Sequence, residues 1–209
     1  MANKMNPESY RESLKSKILE VAMHEFMSKG IRAVKMDDIA SLLGISKRTL
    51  YEVYSNKEAL LLECLKKRDQ EIHLQQQEFM SCNDYNVIEI LMKFYDYQMS
   101  RLANTNPIYL ADLHRYRLVM EFLEQHHRKQ ADKARAFFAR GVEEGYFRSD
   151  VDYEIVSRIG EASMNYVMTS QMYNQYPLQH IYHNIILLFI RGFCSEKGIA
   201  EIDRVRTKD

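Results

Sequence analysis

The 209-residue sequence predicts an all-α protein, and three observations carry that prediction. Apolar residues recur at spacings of three and four from end to end, the period of a helix with one buried face. Gly and Pro number only 7 and 3, too few for the tight turns that a many-stranded sheet requires. No segment reads as a strand, and there is neither an internal repeat nor a low-complexity stretch. About nine helices are expected.

The elements follow in chain order. Leu14, Ile18, Val21, Ala22 and Phe26 form one apolar stripe that ends near Gly30. Residues 37–44 and 46–54 give two short helical patterns. Ser55 and Glu58 match a capping box, which opens a longer helix through Leu61, Leu65 and Ile72. The polar stretch 75–78 and a break at 81–84 separate it from the next helix. Asn106 followed by Pro107 marks another start, with Asn as cap and Pro at the first helical position. Helical pattern resumes over 115–138 and stops at the glycine-flanked segment 141–145. Ile155, Ile159, Ala162, Tyr166 and Val167 then make one apolar face, and Ile181, Ile185, Leu188, Phe189 and Gly192 another, with a break at Tyr176-Pro177 between them.

The segment 36–54, MDDIASLLGISKRTLYEVY, carries the chemistry. Two helices that meet steeply across a short turn need particular residues at particular offsets. Ala40 is small enough for close approach, and Gly44 can take the left-handed conformation that ends the first helix. Ile39, Leu43, Ile45, Leu50 and Val53 supply buried positions, and Ser46 stands where its hydroxyl caps the second helix. This is a helix-turn-helix. With Leu50, Val53 and Tyr54 facing inward, Lys47, Arg48, Tyr51 and Glu52 face out. A helix with Lys-Arg in its exposed first turn suits entry into a DNA major groove. Arg48 is suited to guanine, Thr49 to a thymine methyl or a phosphate, and Tyr51 and Lys57 to phosphates.

From Ile18 to Leu62 the sequence resembles the DNA-binding domain of the TetR/AcrR family of transcriptional regulators. The resemblance rests on Phe26 with Gly30, on Asp38-Ile39-Ala40, on Gly44-Ile45-Ser46-Lys47, on Thr49-Leu50-Tyr51 and on Lys57-Glu58-Ala59-Leu60. Gly141-Val-Glu-Glu-Gly145-Tyr-Phe147 resembles the turn before the final two helices of many members. Two positions depart from the pattern: Lys35 stands where members carry Ser or Thr, so Asp37 is expected to cap and Lys35 to contact the DNA backbone by charge. Val53 stands where members often have His.

The resemblance implies an N-terminal three-helix domain at 1–56 and an effector-binding and dimerisation domain at 57–209, a C-terminal helical bundle dimerising through the last two helices. It implies a ligand-responsive regulator, most simply a repressor, that binds a near-palindromic double-stranded DNA operator as a homodimer. Lys35, Ser46, Lys47, Arg48, Thr49, Tyr51 and Lys57 are the expected DNA contacts. Met and Tyr abound in the C-terminal part, and such residues suit a pocket for a small apolar or aromatic effector. Tyr95, Met99, Tyr116, Met120, Met164 and Met168 are the candidate lining. The alternatives are a ligand-independent regulator of cell division or nucleoid placement, and an all-α carrier or enzyme.

Other classes have little support. No phosphate loop, nucleophile elbow or paired-histidine zinc motif occurs, so neither an enzyme nor a cofactor is expected. His126-His127, and His180 with His183, lack further ligands at matching offsets, and no metal is expected. The run 185–190 falls far short of the roughly 20 apolar residues a membrane helix needs. The polar N-terminus is unlike a secretory signal, and Cys64, Cys82 and Cys194 form no CxxC pair. A cytoplasmic, nucleoid-associated protein is therefore expected. Lys and Arg number 29 against 29 Asp and Glu, a neutral sum. The sum hides a split, because residues 1–68 hold 13 basic and 9 acidic side chains and the remainder 16 and 20. The basic surplus lies at the end that carries the helix-turn-helix.

Overall fold

A computed structural model describes residues 7–81 and 85–207, the side chains at 7, 8, 75–81 and 127 excepted. Of the expected break at 81–84, Ser81 is the last residue of α4, and residues 82–84, with Cys82 among them, and the His127 side chain lie outside the described residues. Ten α-helices and one 3₁₀ turn are present among those described: α1 (Pro7–Lys29), α2 (Met36–Leu42), α3 (Lys47–Val53), α4 (Lys57–Ser81), α5 (Val87–Ala103), α6 (Pro107–Leu113), α7 (Arg117–Glu143), α8 (Tyr153–Thr169), the 3₁₀ turn Met172–Asn174, α9 (Leu178–Phe193) and α10 (Glu196–Arg206). The only extended pairing among them is a single antiparallel bridge between Phe147 and Cys194. The all-α expectation is met.

The chain divides into two compact units, residues 1–71 with 105–124, and residues 72–104 with 125–209. This differs from the sequence division at 56/57. Packing keeps the first part of α4 and all of α6 with the N-terminal helices, because their apolar faces complete the same core. Ile18, Ala22 and Phe26 of α1 meet Ile39 and Ala40 of α2, Leu50 of α3, Leu60 and Leu61 of α4 and Tyr109 of α6 in that core. The second unit has its own core of Val87, Ile88, Met92 and Tyr95 of α5, Ile190 and Phe193 of α9, Ile202 of α10, and Phe147 of the segment between α7 and α8.

Local chemistry sets most boundaries as expected. Asn106 Oδ1 accepts from the Ile108 N–H at 3.0 Å, with Pro107 opening α6. Glu144 ends its segment structurally: its carboxylate accepts from the Val87 N–H at 3.1 Å and from Arg140 at 2.5 Å. Two expectations need correction. The cap of α4 is Asn56, whose side chain accepts from the Ala59 N–H at 2.9 Å, and not Ser55. The helices at 155–167 and 181–192 are α8 and α9 and are not the last, since α10 follows and packs on α5. Ser195 starts α10 by accepting from the Gly198 N–H at 3.1 Å, a cap that a short polar helix conceals in the hydropathy pattern.

Candidate nucleic-acid interface

The helix-turn-helix is built by α2 and α3. Gly44 has φ +64, the left-handed conformation that lets the chain leave α2 at a steep angle. No heavy atom lies within 4 Å of where its Cβ would be, so the need for glycine there is conformational and not steric. Ser46 Oγ accepts from the Thr49 N–H at 3.0 Å and shares a hydrogen bond with Thr49 Oγ1 at 2.8 Å. Leu50 is fully buried and Tyr54 nearly so, which fixes the roll of α3 and turns Lys47, Arg48, Tyr51 and Glu52 to solvent. Burial pushes the Tyr54 hydroxyl up to about 12.

Of the expected DNA contacts, Lys35, Ser46, Lys47, Arg48 and Tyr51 are exposed and Thr49 is half-buried. Five of these six lie on α3 or at its cap; Lys35 precedes α2. Both cations of the first turn carry a carboxylate partner. Lys47 Nζ donates to Asp37 Oδ2 at 2.5 Å, and this hydrogen bond, with the attraction of the charge, raises the lysine's pKa above its ordinary value. Arg48 Nε donates to Glu52 Oε1 at 2.9 Å. The expected cap at Asp37 is replaced by Asp38, whose carboxylate accepts from the Lys35 N–H at 2.9 Å. Asp37 is occupied by Lys47 instead.

Lys57 takes a different role from the one expected. Its ammonium turns inward and donates to the carbonyls of Ile31 at 2.9 Å and Val34 at 3.0 Å. Burial lowers its pKa. The lysine therefore closes the loop between α1 and α2, and its charge is spent on backbone carbonyls rather than offered to phosphate. Its position as the first residue of α4 gave no hint of this, because the loop carbonyls approach only in the folded chain.

The six pocket candidates fall in both units. Tyr116 and Met120 belong to the first, where Tyr116 packs against the N-terminal core. Tyr95 and Met99 share a face of α5, one turn apart, and Met164 and Met168 share a face of α8. Tyr95 is buried and its hydroxyl shares a hydrogen bond with Nδ1 of His183 on α9. Gln179, also on α9, donates to the Met99 carbonyl at 3.1 Å, and Tyr182 has its hydroxyl pushed up to about 12 by burial. The histidine pair 180/183 thus supplies a partner for a buried tyrosine, a role that spacing alone did not suggest.

A helix-turn-helix with a capped, cation-bearing recognition helix, in a chain whose other helices build a second unit, defines the class of DNA-binding transcriptional regulators. Residues 18–64 match the family model of bacterial regulatory proteins, tetR family, and this match, with the relatives that follow, supports a transcriptional regulator of that kind. The transcriptional repressor KstR2 of Mycobacterium tuberculosis is 26% identical over 151 residues, which cover 70% of this chain and 75% of that protein. Three solved structures are similar in fold. That of the ketosteroid transcriptional regulator KstR2 of Mycobacterium tuberculosis has a TM-score of 0.58 at 21% identity, covering 88% of this chain and 96% of its own. A regulator from Saccharomonospora viridis in complex with choline gives 0.70 at 16%, covering 88% and 100%. The fatty acid degradation regulator FadR of Bacillus halodurans gives 0.62 at 18%, covering 90% and 97%. These relatives are regulators and not enzymes. No described helix is long and apolar enough to cross a membrane.

Proposed function

We propose that the chain is a ligand-responsive repressor that binds a near-palindromic operator as a homodimer and is released by a small apolar or aromatic effector. Lys35, Ser46, Lys47, Arg48, Thr49 and Tyr51 make the DNA contacts in this reading. The observation that carries it is the open apolar face of α8 and α9. Ile155, Ile159, Tyr166 and Leu188 are 54%, 50%, 65% and 74% exposed. A cavity of about 770 Å³ opens on the same helices, lined by Ile159, Tyr166, Met172, Ile181 and Ile185 among others. A contiguous apolar face of this kind marks an interaction surface. A second copy related by two-fold symmetry covers it with the same residues and places two reading heads on two half-sites. Gly160 and Gly192 have no neighbour within 4 Å of an added Cβ, which leaves room for helices to approach.

Effector response is supported by Tyr95, Met99, Met164 and Met168, adaptable apolar side chains with one hydroxyl held by His183. The relatives' names point the same way, since KstR2 is called a ketosteroid regulator and FadR a regulator of fatty acid degradation. The test is the sedimentation of the chain with Ile159→Glu and Leu188→Glu together. A folded monomer that has lost high-affinity binding to the promoter of its own gene is expected. A double variant that remains dimeric overturns the assignment of this face. Release of that promoter DNA by steroid or fatty acyl compounds, with Met168→Glu abolishing the response, is the expected result for the effector.

A further inference from the structure

The recognition helix carries one acidic side chain among its exposed residues, and a carboxylate is an awkward group to bring towards DNA. Glu52 sits one helical turn beyond Arg48, and the two side chains are 60% and 89% exposed. Exposed pairs of this kind add little to folding. Its position matters more for what α3 presents. Arg48 gives its Nε to Glu52 Oε1 at 2.9 Å. That contact uses Nε on the side edge of the guanidinium, and the two terminal nitrogens of this exposed side chain remain as a fork. A fork of two parallel N–H groups matches O6 and N7 of guanine. The second carboxylate oxygen of Glu52 appears in no hydrogen bond with the described residues and accepts only.

We infer that Glu52 is a specificity-determining residue, which braces Arg48 end-on for a guanine and itself accepts from the amino group of a cytosine nearby. The helix rises about 5.4 Å per turn against about 3.4 Å per base step, so the two contacts fall one to two base pairs apart. Cytosine suits a carboxylate because its major-groove edge offers the N4 donor. Thymine and guanine offer acceptors that repel it, and adenine places N7 beside its donor. On DNA lacking cytosine at that step, Glu52 loses its water without gaining a donor and weakens binding. Asp37 acts differently, because it pairs with Lys47 from outside α3. The inference rests on α3 lying in the major groove with Arg48 at the bases.

The experiment is selection from a randomised duplex DNA library by the full-length parent, Glu52→Ala, Glu52→Gln and Arg48→Ala. The parent is expected to select a guanine and a cytosine one to two base pairs apart in each half-site. Glu52→Ala is expected to lose the cytosine preference by about tenfold and to weaken the guanine preference that the braced Arg48 provides, while keeping every other position. Glu52→Gln is expected to accept adenine there, since an amide can both give to N7 and take from N6. Retention of the remaining positions shows that the variants are folded. A parent site without that cytosine, or Glu52 variants that select the parent's sequence, overturns the inference. If Arg48→Ala also selects the parent's sequence, the placement of α3 in the groove fails with it. If Arg48→Ala alone changes the selected sequence, the groove placement holds and the role of Glu52 falls.

Discussion

The Asp112 carboxylate, only 4% exposed, accepts a hydrogen bond from the backbone N–H of Arg32 at 2.9 Å, eighty residues away in sequence. This contact fastens α6 to the loop between α1 and α2. Asn106 ties the same helix to the last turn of α1: its N–H donates to the Met27 carbonyl at 2.7 Å, and its side chain donates to the Ser28 carbonyl at 3.1 Å. The loop leads directly into α2, so α6 sets where the helix-turn-helix begins. Removing the acceptor leaves an amide beside a small void in a packed region. A hydrogen bond to a charged, buried group contributes about 2 kcal/mol. Asp112→Ala is therefore expected to lower the stability of the chain by about that amount in urea unfolding, and Asp112→Asn by clearly less, because the amide oxygen can still accept.

Lys57 and Lys47 separate structure from DNA contact. Lys57→Ala removes the donor to the Ile31 and Val34 carbonyls and is expected to lower the urea midpoint while leaving the salt dependence of DNA binding unchanged. Lys47→Ala is expected to do the reverse, lowering the slope of log affinity against log salt by about one with no loss of stability. Equal slopes for both variants in a salt titration would return Lys57 to the phosphate backbone.

Gly198 lies where α10 meets the turn after α7. A Cβ there would sit 2.2 Å from the Tyr146 carbonyl oxygen, and the same carbonyl already accepts from the Ser195 N–H at 2.9 Å. Backbone cannot swing aside as a flexible side chain would. Gly198→Ala is expected to cost about 3 kcal/mol, seen as a lowered thermal midpoint. An unchanged midpoint would show that α10 shifts freely.

Alkaline stability follows from two buried groups in the first unit. Burial raises the Cys64 thiol from 9.0 to about 12 and the Tyr54 hydroxyl from 10.0 to about 12. A folded-state pKa above the unfolded one means the folded chain holds its proton more tightly, so stability is full below the unfolded value and is lost as pH rises through the folded one. The urea midpoint is expected to be flat between about pH 7 and about pH 8.5 and to fall from about pH 9 towards pH 12. Cys64→Ala is expected to make that fall shallower, the remainder coming from Tyr54 and, in the second unit, from Cys194 and Tyr182, whose pKa values burial also raises. An identical pH profile for parent and variant would show that Cys64 does not titrate with unfolding.

The helix-turn-helix was legible because each of its residues answers a local need. Ser46 caps, Gly44 turns, Ala40 and Leu50 pack, and all of these act within a few residues of chain. The pairing of Arg48 with Glu52 is legible for the same reason, being one helical turn. The pocket candidates were less legible. Met and Tyr at helical spacing look alike whichever core they join, and only packing assigns Tyr116 to the first unit and Tyr95 to the second. Helix α10 was missed because its eleven residues bury only Gly198 and Ile202, too few to mark an apolar stripe.

By itself the sequence determined the all-α class, the reading head and the side of α3 that meets solvent, since helical period and capping are set by neighbours along the chain. The tertiary structure decided the inward turn of Lys57, the reach of Asp112 to Arg32 and the bond of Tyr95 to His183. Each joins groups between 23 and 88 residues apart, and no local pattern encodes a partner that only the folded chain brings within hydrogen-bonding distance.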